Sequence, residues 1–168
     1  MVEVLVSRLG LDASSQAYVV ILQEKGGERT LPIWIGRPEA EAIAAHLNSV
    51  KRERPMSHDL MQSVVLGLGG LLRRVQVTRV HEGTFFAELH FTKAGSPVVV
   101  DSRPSDAIAL AIRLEAPVFV ADALFRDDDD DADGSGEPPA GEGDPLSADE
   151  LKRHIAQLRP EDFGRFSL

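Results

Sequence analysis

The stretch DSRPSDAIALAI, residues 101–112, constrains this chain more than any other. Val98, Val99 and Val100, just ahead of Asp101, are β-branched and read as a buried strand. Ala107 to Ile112 is apolar on every face and reads as a buried helix. Asp101, Arg103 and Asp106 then fall at an edge of the core, where unpaired charge is costly and charge is retained when it is paired or metal-bound.

The rest of the body reads as strands and helices in a repeated order. Val2 to Leu9, Tyr18 to Gln23 and Thr30 to Ile35 are strand-like, with Gly26-Gly27 punctuating a hairpin. Pro38 suits the first position of a helix whose stripe is Ala40, Ile43, Ala44 and Leu47, with Glu39 and Glu41 at its positive end. A second helix is expected from Ser57 as N-cap, carrying Leu60, Val64 and Val65 inward until Gly67, Gly69 and Gly70 stop it. Strands resume over Leu72 to Val80, turn at Glu82-Gly83 and continue over Thr84 to Phe91, with Phe85, Ala87, Leu89 and Phe91 on one face. The fold class is α+β, a mixed and largely antiparallel sheet with packed helices.

Three strands followed by RPEAEAIAAHL and three strands followed by RPSDAIALAI form an echo. One explanation is an internal β-β-β-α duplication with acids at equivalent helix starts. The other is that proline and acids simply favour first turns.

The 168 residues divide by composition into a body, residues 1–126, a linker, 127–146, and a tail, 147–168. The net charge of −9 belongs to the last two parts, because the body holds 14 basic and 14 acidic residues. No strongly basic field steers nucleic acid to the body, although a local patch could still bind it. The run DDDDDADGSGEPPAGEGDP is too acidic and too poor in apolar residues to order itself. Ser147 to Glu150 is a capping box for a C-terminal helix with the stripe Leu151, Ile155 and Leu158, which docks either on its own domain or on a protein partner. With no cysteine, thiolate metal sites, Cys nucleophiles and disulfides are excluded. No segment resembles a membrane span or a leader, so a cytoplasmic protein is expected. Strand edges in a small sheet make a homodimer a reasonable expectation.

Walker A, HExxH and nucleophile-elbow patterns are missing, and LGLGG at 66–70 ends a helix instead of following a strand. What remains is acids, a histidine and arginines. Asp101 and Asp106, with help from Glu39 or Asp59, have the oxygen chemistry of a magnesium or manganese site. His58, whose ordinary pKa lies near neutrality, suits proton transfer, and Arg103 or Arg54 suits a phosphate. Phosphodiester hydrolysis would use such a set. Each residue also has a structural explanation: Asp59 and Asp106 sit where acids stabilise first turns, and Arg103 can pair with Asp101 or Asp106 to fix the turn. His46, His81, His90 and His154 show no ligand spacing.

PIWIG with EAEAI, then RPMSHDL, GTFFAELHF, DSRPSDAIALAI and PVFVA occur in this order over most of residues 1–125 and resemble the bifunctional nuclease family. The resemblance implies a single α+β domain with DNase and RNase activity, and it marks Glu39, His58, Asp59, Asp101, Arg103, Ser105 and Asp106 as motif positions. Ser105 enters through this resemblance, as a substrate-binding candidate beside Arg103 and Arg54. The expectation is a metal-assisted nuclease with DNA or RNA as substrate. The rival is a non-catalytic regulatory or scaffold domain, whose RPSD and SHD motifs serve structural ion pairs and which binds a protein partner.

Overall fold

The structure, a computed structural model, describes residues 1–11 and 17–125; the expected linker and C-terminal helix lie outside the described residues. In chain order come β1 (Val2–Leu11), β2 (Tyr18–Glu24), β3 (Thr30–Ile35), α1 (Arg37–Leu47), α2 (Ser57–Gly67), β4 (Gly70–His81), β5 (Thr84–Lys93), β6 (Ser96–Ser102), α3 (Pro104–Arg113) and β7 (Val118–Val120). The fold is α+β. Three strands and a helix occur twice in sequence, with α2 between the two sets.

The seven strands form one sheet in the order β3-β2-β1-β7-β4-β5-β6. Each set of three strands is an antiparallel meander. The short β7 joins them, antiparallel to β1 and parallel to β4. The turns of the second meander are two residues long and left-handed at both positions: Glu82 and Gly83 have φ of 49° and 73°, Ala94 and Gly95 of 49° and 81°. This twist matches that of the flanking strands, which accounts for the turn expected at Glu82-Gly83.

The core is formed by alternate residues of the central strands, including Val4, Val20, Leu22, Val75, Val77 and Val120, under Ile43 of α1 and Ile108 of α3. Helix α3 is covered as its sequence demands, with Ala107 to Ala111 all buried. Burying Ile108 and Leu110 contributes about 1.5–3 kcal/mol each. In β5, Ala87 and Leu89 are buried and Phe85 and Phe91 pack against the core, as the alternation predicts.

Four expectations are corrected. Val98, Val99 and Val100 form a strand, but it is the edge strand β6, and they are 43%, 55% and 43% exposed. Leu47, the last residue of the α1 stripe, is also exposed. Helix α2 is capped by the backbone of Met56, with Ser57 as its first helical residue. It is also rotated from the expected orientation. Leu60 and Val64 are exposed, and His58 is the residue of α2 that is buried. The side of α2 facing the protein carries His58, Asp59 and Gln62, all bonded to α3, so polar pairing with α3 sets the rotation of the helix.

Candidate functional site

The first turns of the three helices meet at one place. Arg103 is the N-cap residue of α3, with extended backbone, so its side chain projects from the strand-to-helix turn. Its Nε donates to Asp106 Oδ2 over 2.7 Å and its Nη2 donates to Glu39 Oε1 over 2.7 Å. Asp106 lies in the first turn of α3 and Glu39 in the first turn of α1. The other carboxylate oxygen of Asp106, Oδ1, lies 2.9 Å from His58 Nε2 in the first turn of α2. A continuous line of polar contacts therefore runs Glu39, Arg103, Asp106, His58.

Exposure differs along this line. The Arg103 side chain is 67% exposed, Asp106 24%, Glu39 12% and His58 9%. Burial alone would raise the Asp106 carboxyl, but hydrogen bonds from Arg103 and His58 outweigh it and hold the group below the ordinary aspartate range. Arg103 is shifted upward in turn, chiefly by its bond to Asp106 and then by that to Glu39. Gly36 leaves room for this arrangement, because a Cβ there would collide with the Glu39 carboxylate.

A second polar contact holds α2 from its other side. Asp59 Oδ1 accepts from Arg113 Nε over 2.7 Å, and Asp59 Oδ2 accepts from the Met56 backbone N–H over 2.9 Å. The Arg113 side chain is 3% exposed and also donates to the carbonyls of Ala109 (2.8 Å) and Ala42 (2.9 Å). Burial raises the Asp59 carboxyl, while the bonds from Arg113 and Met56, with the nearby charges of Arg113 and Arg52, bring it below its usual value. Asp106 and Arg113 are seven residues apart on α3, two turns along one face. Consecutive residues of α2, His58 and Asp59, thus bind opposite ends of α3.

Asp101 lies on β6 opposite Glu88 and is exposed. Asp106 and Glu39 are joined through Arg103. Among the described residues no three histidine or acidic side chains are grouped to hold a metal. Arg54 stands exposed in the segment before α2, and Ser105 is buried in the first turn of α3, 6% exposed. Arg113 was not among the sequence candidates. Its signal was a charged residue ending an otherwise apolar helix, which the helix dipole alone explains equally well.

A sheet carrying three helices whose first turns share an Arg–carboxylate–His line defines an α+β domain with a polar site at its helix ends. The chain belongs to the bifunctional nuclease domain family, whose sequence model matches residues 20–132. An uncharacterized protein of Mycobacterium tuberculosis is 33% identical over 167 residues, 97% of this chain and 98% of the relative. Bifunctional nuclease 2 of Arabidopsis thaliana is 35% identical over 114 residues, 66% of this chain and 34% of the plant protein. Bifunctional nuclease 2 of Oryza sativa subsp. japonica is 28% identical over 163 residues, 91% of this chain and 49% of the relative. No helix among the described residues is long and apolar enough to cross a membrane.

Proposed function

We propose that the chain hydrolyses phosphodiester bonds of DNA and RNA at the Glu39–Arg103–Asp106–His58 line. The observation that carries this reading is the exposed guanidinium of Arg103, held at the meeting point of three helix N-termini. That combination suits a phosphate, through charge, forked donors and helix dipoles together.

The bonds also supply a way to activate the base. While Arg103 is bonded to Asp106, the carboxyl is held down and is a weak base. A phosphate that draws Arg103 away removes this restraint and raises the proton affinity of Asp106 where substrate is bound. Asp106 then takes the proton of the attacking water as its oxygen bonds to phosphorus, the bond from phosphorus to the leaving sugar oxygen breaks and that oxygen takes up a proton from solvent, and the buried His58 acts through its contact with Asp106 as a positioning partner. Glu39, once released by Arg103, would supply a carboxylate to magnesium or manganese, which use one or two protein carboxylates and keep several waters. Such an ion would offset charge on the transferring phosphate when bound.

A second reading is favoured by one observation: α2 turns Leu60, Met61 and Val64 outward. A non-catalytic domain that binds a protein partner or a second copy, with closed ion pairs at its helix ends, would look the same.

The test is cleavage of labelled single- and double-stranded DNA and RNA in magnesium, manganese or chelator. Asp106→Ala and His58→Ala chains are prepared identically. Metal-dependent cleavage lost in both folded variants supports hydrolysis at this site; equal cleavage by all three, or none by any, refutes it in favour of the second reading.

A further inference from the structure

A cavity of about 520 Å³ is lined by residues of α1, of the segment between α1 and α2 and of the first turn of α2. One wall is α1, from Pro38 past Ala45 to His46, and the other is the segment between α1 and α2, including Val50, Lys51, Arg52 and Met56. Asp59 and Arg113 also line it. This volume is typical of small-ligand sites.

The cavity has two chemical zones. Asp59 and Arg113 satisfy each other, and Glu41, which also lines the cavity, is paired with Arg37, so these acids bring no unpaired charge to a ligand. Val50 and Met56 are 38% and 46% exposed and offer apolar surface. Lys51 and Arg52 are exposed and make no salt bridge among the described residues, although the charge of Arg52 acts on Asp59. In a body with equal numbers of basic and acidic residues, two such cations beside an apolar surface favour an anion that carries a flat, weakly polar group.

The cavity and the Arg103 line draw on neighbouring residues of α1 and α2. Pro38 lines the cavity and Glu39 pairs with Arg103; Asp59 lines the cavity and His58 contacts Asp106. Taking the proposed hydrolysis as its premise, we propose that this cavity is the subsite for the nucleotide adjoining the scissile phosphate. The base rests on Val50 and Met56, and Lys51 and Arg52 meet the flanking phosphates.

The test measures binding, so it does not depend on turnover. A fluorescein-labelled single-stranded 12-mer, as DNA and as RNA, is titrated by anisotropy with the full chain in chelator, and strand length is checked on a gel afterwards. Lys51→Ala/Arg52→Ala is expected to weaken binding about 10- to 100-fold, and its salt slope to fall by roughly 1.4, the share of two single-strand phosphates. Met56→Ser is expected to weaken binding several-fold at unchanged salt slope. Adenosine monophosphate is expected to displace the 12-mer from the wild-type chain.

Wild-type affinity and slope in the double variant would overturn the subsite. So would loss in the double variant with no effect of Met56→Ser, which describes a general anion patch, or failure of the wild-type chain to bind. The expected pattern from a chain that cleaves nothing would leave the subsite standing as a nucleotide site and remove hydrolysis; cleavage without the pattern would do the reverse.

Discussion

Arg113→Ala is expected to lower folding stability by about 3–5 kcal/mol, the usual cost of breaking a buried ion pair from one side. The guanidinium is 3% exposed and makes bonds of 2.7, 2.8 and 2.9 Å to Asp59, Ala109 O and Ala42 O. Hydrogen bonds to charged groups contribute roughly 1.5–3 kcal/mol each, so three give a gross of about 4.5–9 kcal/mol. The Asp59 side chain is 35% exposed, and water re-solvates it when Arg113 is lost, which brings the net figure down. The carbonyls of Ala42 and Ala109 lie within helices and lose only their additional side-chain donor. For a domain of this size the melting temperature should fall by roughly 10–20 °C. Urea unfolding followed by far-ultraviolet circular dichroism measures the change, together with Asp59→Ala and the double variant. The double variant should be less destabilised than the sum of the single effects by about 1–2 kcal/mol. A cost below about 1 kcal/mol for Arg113→Ala would refute the assignment of α2 docking to this arginine.

Two further outcomes are expected. Asp59 and Asp106 both have carboxyls below the ordinary aspartate value, so the folded state binds their protons less readily than the unfolded chain. Their contribution to stability is full above about pH 3.9 and is lost as pH falls through the folded values; urea midpoints from pH 7 downward should show this, and Asp59→Asn/Asp106→Asn should flatten the acid limb. Ala94 holds φ of 49° in an exposed hairpin turn, so Ala94→Asn should stabilise by about 0.5–1 kcal/mol, read as a raised urea midpoint.

The parts that sequence reasoning reached are those set by local periodicity. The apolar α3, the alternation through Phe85 to Phe91 and the turn at Glu82-Gly83 all follow from neighbours in the chain. The link between Arg103 and Asp106 spans three residues and was legible for the same reason. Glu39 and His58 reach the site from 64 and 48 residues away, so their residue types could nominate them but not join them. Helix α2 differs from the expectation because it has two stripes, an apolar one through Leu60 and Val64 and a polar one through His58 and Gln62. Only the charges at both ends of α3 decide which is turned inward. The exposure of Val98 to Val100 is likewise a matter of topology, since β-branched residues look the same in an edge strand and a central one.

The fastening of α2 has a consequence for how the molecule opens. Its side-chain ties to α3, through His58, Asp59 and Gln62, lie in the first two turns, while Val64, Leu66 and Leu68 toward its far end are exposed. Unwinding from the Leu68 end uncovers little apolar surface and breaks no ion pair, so it requires little free energy and runs until it meets Gln62. Release of His58 and Asp59 requires the far larger step of separating α2 from α3. Local fluctuation and loss of the polar line are therefore separate events, with the line surviving the first and disappearing with the second.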